Sequence, residues 1–111
     1  MVQTEILKKY RSEIDSIVSQ IKKYRPRKVI LFGSFADGDI NAHSDIDLCI
    51  IKNTSRRFLD RIGDVLLLID SSFPVEPLVY TENEFKRLKS ARNPLILHIA
   101  EKGKVLYEQK S

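Results

Sequence analysis

The sequence predicts an α/β (α+β) fold in which helices pack on a small mixed β-sheet. Short runs of apolar, β-branched residues alternate with longer segments whose apolar residues recur every three to four positions, the period of an amphipathic helix. The 111 residues suit one domain with a modest core. We therefore expect a single domain over residues 1–111.

The first half of the chain predicts one long helix and two buried strands. Thr4 to Tyr24 has the apolar spacing of an amphipathic helix, and Pro26 ends it. The apolar runs Lys28 to Phe32 and Ile46 to Ile51 have the length and branched residues of buried strands. Between them, Ser34 to Asp39 has room for one or two turns of helix.

The second half predicts three helices and two strands. Thr81 and Glu84 form a capping-box pattern that opens one of the helices. Pro77 has no N–H to donate to a sheet, so its strand should lie at an edge or contain a bulge. The expected helices are Ser55–Ile69, Thr81–Leu88 and Pro94–Glu101, and the expected strands are Pro74–Tyr80 and Val105–Tyr107.

Composition limits the cellular setting and the class of partner. No apolar run approaches the ~18 residues of a membrane span, and the N-terminus is not that of a secreted protein, so we expect a cytoplasmic protein. The lone Cys49 lies in an apolar run and is interpreted as a small buried hydrophobe. A net charge of +4 and a pI of about 9.3 favour anionic partners only mildly.

Four aspartates crowd the segment between the first two strands: Asp37, Asp39, Asp45 and Asp47. Asp45 and Asp47 are two residues apart, so on a strand both side chains point to the same face, with Cα atoms about 7 Å apart. Two carboxylates so placed repel each other and lose hydration unless a cation neutralises them. Because Mg²⁺ accepts one or two carboxylates and takes further ligands from phosphates, the pair predicts a magnesium site.

The residues that end the first strand suit an anion. Gly33 allows a close approach of the backbone, and Ser34 stands where a short helix would expose its first N–H groups. Other motifs fail: a calcium loop starting at Asp37 would have Ala42 and Leu48 at its glycine and glutamate positions. The chain has no P-loop, no dinucleotide fingerprint and no zinc spacing.

Gly33-Ser34, ten residues and then Asp45-x-Asp47 resembles the signature of the polymerase-beta-like nucleotidyltransferases. The short chain looks most like the minimal nucleotidyltransferases, often antitoxins paired with a small helical HEPN toxin. The resemblance implies that Gly33 and Ser34 bind the nucleotide phosphates. It also implies three catalytic, metal-binding carboxylates, namely Asp45, Asp47 and an acid on a later strand. Glu76 is the expected third acid.

The resemblance also exposes departures from the family pattern. Relatives often have aspartate where this chain has Glu76, which is followed by Pro77. Asp70 is the nearest alternative to Glu76, although it falls at the end of a predicted helix. Many relatives carry a basic residue where this chain has Asp37. Two basic residues are candidates to replace that charge: Lys52 and Arg56.

The implied function is Mg²⁺-dependent transfer of AMP from ATP to a hydroxyl group. The site would use two Mg²⁺ ions, and the hydroxyl would be a tyrosine on a HEPN toxin, as in a type VII toxin–antitoxin system. One alternative is a catalytically decayed module that neutralises its partner by contact. A homo- or hetero-oligomer is compatible with either function. Another is a nucleic-acid-binding domain, which we rank low because aromatic residues do not interleave its basic ones. Those basic residues are Arg25, Arg27, Lys28, Lys86, Arg87, Lys89 and Arg92.

Overall fold

A four-stranded mixed sheet carries helices on both faces in the computed structural model, which describes residues 2–33 and 45–110. In these residues no helix is both long enough and apolar enough to cross a bilayer. The elements are α1 (Val2–Ile21), a 3-10 turn (Lys22–Tyr24), β1 (Lys28–Phe32), β2 (Ile46–Ile51), α2 (Phe58–Leu66), β3 (Val75–Tyr80), α3 (Glu82–Ser90), α4 (Pro94–Lys102) and β4 (Lys104–Glu108).

The predicted fold class is confirmed, and β1 and β2 have their predicted bounds. The helix predicted from Ser55 to Ile69 is shorter at both ends. At its start, the Thr54 hydroxyl accepts the N–H of Arg56 at 3.1 Å and holds the chain in a turn. At its end, Leu67 and Leu68 leave the helix in a tight turn. The helix predicted over Ser34 to Asp39 lies outside the described residues.

The strand order is β3-β2-β1-β4, so β1 and β2 form the centre of the sheet. β2 and β3 run parallel, as the crossover through α2 requires, and β1 is antiparallel to both β2 and β4. Pro77 lies in β3, at one edge of the sheet, as its missing N–H predicted.

Each face of the sheet has its own apolar core, because side chains alternate along the strands. The face under α1 and α2 buries Tyr10, Ile17, Ile21, Val29, Leu31, Ile46, Leu48, Ile50, Val65 and Val79. The face under α3 and α4 buries Ile30, Phe32, Cys49, Ile51, Ile96 and Ile99. Burial raises the pKa of the Cys49 thiol to about 12, so this residue is the inert hydrophobe that its setting predicted.

The buried Arg61 of α2 connects three elements. Its guanidinium donates two hydrogen bonds to the Glu84 carboxylate, at 2.7 and 3.2 Å, and another to the Val79 carbonyl of β3 at 3.2 Å. Glu84 also closes the predicted capping box of α3, since it accepts the Thr81 N–H at 2.8 Å while its own N–H donates to the Thr81 hydroxyl. One ion pair therefore joins α2, the edge strand β3 and the start of α3.

Candidate active site

The predicted carboxylates meet where β2 begins. Asp47 is the second residue of β2, and Asp45 immediately precedes the strand. In the parallel ladder Asp47 lies directly beside Glu76 of β3, and in the antiparallel ladder it lies opposite Phe32. Partners in register point to the same face, so Asp47 and Glu76 share the face that α3 and α4 cover further along the strands.

The surroundings of Asp47 disfavour its charged form. The pKa of Asp47 rises from 3.8 to about 6, chiefly because the side chain is partly buried. The negative charges of Glu76 and Asp45 raise this pKa further, as does a hydrogen bond between the Asp47 and Glu76 side chains. Burial and two neighbouring acids thus disfavour the charge on Asp47, and a bound cation would offset both effects.

Gly33 lies against the Asp47 carboxylate. It has a φ of +76°, in the left-handed region that glycine tolerates. A Cβ on Gly33 would collide with Oδ2 of Asp47 and would lie 3.2 Å from its Cγ. The sequence predicted a close approach of the Gly33 backbone to a ligand. The structure shows that the Gly33 backbone also lies close to Asp47. The only indication of this in the sequence is that the glycine follows one strand and the acid lies near the start of the next.

The carboxylates suit a divalent cation in number and in chemistry, with the other ligands left to a bound nucleotide. In residues 2–33 and 45–110, no group of three or more His, Cys, Asp and Glu side chains could by itself hold a metal ion. Magnesium does not need such a group, because it binds through one or two carboxylates and completes its shell with water and phosphate oxygens. Asp45 and Asp47 supply such a pair where β2 begins.

Glu76 has the position expected of the third acid, whereas Asp70 does not. Glu76 is exposed and in register with Asp47. Asp70 is held by its backbone to the Gln20 side chain of α1, with its N–H donating at 2.5 Å and its carbonyl accepting at 3.1 Å. Because α1 covers the opposite face of the sheet from Asp47, Asp70 belongs to the other side.

Neither basic residue suggested as a phosphate partner lies near the carboxylates. Lys52 follows the far end of β2, about 16 Å along the strand from Asp47 at 3.3 Å per residue. Its ammonium donates to the Tyr24 carbonyl at 2.6 Å, and Arg56 pairs with Asp64 at 2.8 Å. This expectation was wrong because both side chains have local partners.

Three residues of the proposed site loop are untested. Ser34, predicted to bind phosphate, lies outside the described residues, as do Asp37 and Asp39.

A cavity of about 260 Å³ lies away from the carboxylates. Its walls include Lys28 and Ile51, which are at the other end of the β1–β2 ladder from Asp47.

Comparison with known proteins shows the family to which the chain belongs. Residues 13–111 match the family model described as "Polymerase beta, Nucleotidyltransferase". Two proteins of Methanocaldococcus jannaschii, each named "Putative protein adenylyltransferase", are 34% identical to the chain. The alignments cover 85% of this chain and 94% of the first relative, and 73% of this chain and 58% of the second.

A solved structure has the same fold. The crystal structure of a "putative nucleotidyltransferase" from Sulfolobus solfataricus superposes with a TM-score of 0.58 over 96% of this chain and 84% of that one. The sequence identity is 22%, so this likeness concerns the fold alone.

Proposed function

The chain belongs to the polymerase beta nucleotidyltransferase family, and from this premise we propose that it transfers AMP from ATP to a hydroxyl group on a partner protein. The observation that carries the proposal is the position of Asp47, beside Glu76 and two residues from Asp45. The names of both Methanocaldococcus jannaschii relatives support protein as the acceptor class.

The transfer makes one bond to phosphorus and breaks another. The acceptor oxygen attacks the α-phosphorus of ATP, the bond to the bridging oxygen breaks, and pyrophosphate leaves. The acceptor loses a proton, and Glu76 is the exposed carboxylate placed to receive it. Asp45 and Asp47 would hold the cations that accompany the nucleotide, and Gly33, which has no side chain, leaves space for the Asp47 carboxylate.

Magnesium supplies charge neutralisation on the triphosphate and a lower pKa of the attacking hydroxyl when it is bound. We propose two such ions, both held by Asp45 and Asp47. Glu76 would be a further ligand of one of them. Gly33 and Ser34 would bind the β- and γ-phosphates. The raised pKa of Asp47 supports cation binding at this place, because a positive charge offsets the repulsion among the acids.

We propose a tyrosine hydroxyl of a HEPN-type toxin as the acceptor, with this chain as the antitoxin. The support is the family resemblance of the Gly33-Ser34 and Asp45-x-Asp47 motif together with the names of the two relatives. The open setting of Glu76, at an edge strand, leaves room for an acceptor side chain that another protein presents.

Radiolabelled ATP tests this function. The protein is incubated with ATP labelled at the α-phosphate, Mg²⁺ and a candidate toxin, next to the Asp45→Asn/Asp47→Asn double variant. We expect the toxin to gain label with the wild type, and the double variant to transfer at least 100-fold more slowly. Label on the toxin with both proteins, or with neither, would contradict the proposal.

A contact-only module is the second candidate, and departures from the family pattern favour it. Glu76 stands where relatives often have aspartate, Pro77 follows it in β3, and Asp37 stands where many relatives carry a basic residue. Such a module would neutralise its partner without Mg²⁺ or ATP. Equal protection by the wild type and the Asp45→Asn/Asp47→Asn variant, with no label transferred by either, would establish it in place of catalysis.

A further inference from the structure

Helix α3 and the turn after it carry exposed positive charges without partners. We call these four residues the basic face: Lys86, Arg87, Lys89 and Arg92. None of them forms an ion pair with a residue that the structure describes. The helix dipole favours Arg87 and Lys89, which lie in the last turn of α3, but Lys86 is mid-helix and repels Lys89 three residues later. The fold alone therefore does not account for the basic face.

The cavity of about 260 Å³ adjoins the basic face, because Lys86 belongs to both. The apolar part of its wall consists of Ile30, Ile51 and Phe85, of which the first two are buried in the core under α3. The volume is below the ~300 Å³ at which pockets for drug-sized ligands begin, so the cavity suits a single large side chain.

The other charges around the cavity are already paired. Arg27 contacts Glu82 at 2.6 Å, and Lys28 contacts Glu108 at 3.7 Å. Lys86 is the cation of the cavity wall that has no acidic partner within the part of the chain that the structure describes. An occupant of the cavity is therefore offered an apolar wall with one unpaired positive charge beside it, and three more on the rest of the basic face.

These two features fit an acidic protein segment better than a nucleic acid. Protein interfaces commonly bury an aromatic side chain in a pocket and surround it with polar contacts. Single-stranded nucleic acid instead needs exposed aromatic rings on which its bases stack. Phe85 is the aromatic residue among those that line the cavity, and it is half-buried against the core.

We propose that the cavity and the basic face together bind the acceptor protein, through a segment in which acidic residues flank one aromatic residue. The inference deepens the proposed function and rests on it for the role of the bound protein. α3 covers the sheet face to which Asp47 and Glu76 point. Ile51 in the cavity wall is four residues from Asp47 along β2, about 13 Å at 3.3 Å per residue. One small partner protein can span both places.

A short labelled peptide tests the surface without ATP or Mg²⁺. Fluorescence anisotropy measures binding of the peptide Asp-Glu-Asp-Phe-Asp-Glu-Asp to the full chain. We expect a dissociation constant on the order of 100 μM, at least about fivefold weaker binding with alanine in place of phenylalanine, and weaker binding at high salt. No binding of the phenylalanine peptide would overturn the proposal, and equal binding of the two peptides would exclude the cavity from it.

Two charge reversals locate the bound peptide. Lys86→Glu should weaken peptide binding at least about tenfold, because it repels the acids beside the cavity. Lys8→Glu is the matched control, since Lys8 is exposed on α1, which covers the opposite face of the sheet, and it should weaken binding less than about twofold. Thermal unfolding checks that both variants fold. Equal losses for the two variants would overturn the proposal, because net charge alone would then explain binding.

Two further measurements separate the alternatives. Tighter binding of a single-stranded RNA of the same net charge, also weakened by Lys86→Glu, would overturn the proposal in favour of a nucleic-acid partner. The Asp45→Asn/Asp47→Asn variant should bind the phenylalanine peptide as the wild type does. Peptide binding without any AMP transfer to a partner would therefore contradict the proposed function and leave the binding surface established.

Discussion

The Asp47 carboxylate occupies the space that a side chain on Gly33 would need. Oδ2 of Asp47 would collide with a Cβ at Gly33, and the φ of Gly33 is +76°. Gly33 directly follows β1 and Asp47 is the second residue of β2, so the turn after one strand and the candidate metal ligand of the next depend on each other. The absence of a side chain at Gly33 therefore sets the position of the Asp47 carboxylate.

Gly33→Ala should impair both catalysis and folding. The alanine would strain the left-handed backbone by about 1–2 kcal/mol and push Asp47 aside. Because a displacement of ~1 Å in an active site can cost ~100-fold in rate, we expect a loss of that size in AMP transfer. Gly63→Ala is the control, since its Cβ would meet nothing within 4 Å. It should keep full activity and gain up to ~1 kcal/mol of stability.

Asp47→Asn should remove activity and stabilise the metal-free protein. The raised pKa of Asp47, about 6, means that its charge costs free energy at pH 7.5. A shift of two pKa units corresponds to ~2.7 kcal/mol, but solvent screens this partly exposed group, so we expect a gain of ~1 kcal/mol. Urea unfolding in EDTA measures it, with Asp15→Asn on the exposed side of α1 as the control. Equal stability of wild type and Asp47→Asn would contradict the raised pKa of Asp47.

Glu76 and Asp70 should differ as candidates for the third carboxylate. Glu76→Gln removes the acid in register with Asp47, so initial rates of AMP transfer should fall about 100-fold. Asp70→Asn, on the other side of the sheet from Asp47, should transfer AMP at the wild-type rate. A large loss of rate with Asp70→Asn and none with Glu76→Gln would exclude Glu76 from the site.

The Arg61–Glu84 pair should make folding stability depend on acid pH. The Arg61 guanidinium lowers the pKa of Glu84 below its unfolded value of 4.5. The stabilisation is therefore complete above about pH 4.5 and is lost as the pH falls through the lower folded pKa. Glu84→Gln should destabilise the protein by ~2–3 kcal/mol at pH 7, because Arg61 stays buried without its counter-ion, and by much less at pH 3.

Glu82→Gln provides the comparison for Glu84→Gln. Glu82 pairs with Arg27 at 2.6 Å, but half of the Arg27 side chain is exposed, whereas that of Arg61 is 7% exposed. We therefore expect Glu82→Gln to cost less than ~1 kcal/mol in urea unfolding at pH 7. Equal losses for the two variants would mean that burial of Arg61 adds nothing to the pair.

The central strands and their acids were predictable because local sequence determines them. β1 and β2 are continuous apolar runs bounded by turn residues, and the two-residue spacing of Asp45 and Asp47 fixes their shared face. The position of Glu76 depends on the register between β2 and β3, which the chain between them does not encode locally. It could be placed only by family resemblance.

Arg61 was missed because its partner is distant in the sequence. An arginine between the apolar residues Phe58 and Val65 is compatible with either a buried or an exposed position, since its long stem packs on apolar surface in both. Its burial follows from Glu84, 23 residues later, and from the Val79 carbonyl. The predicted start of α2 was wrong for a different, local reason, because the Thr54 turn competes with the helix for the backbone N–H groups.

The position of β4 has a consequence during protein synthesis. β1 lies at the centre of the sheet, yet one of its two neighbours is β4, whose Lys104 pairs with Leu31, about 70 residues earlier. While the ribosome is still making the second half of the chain, β1 has an open, apolar edge that can pair with other chains. Nascent protein should therefore need shielding until residue 108 emerges, and a chain truncated before Lys104 should aggregate.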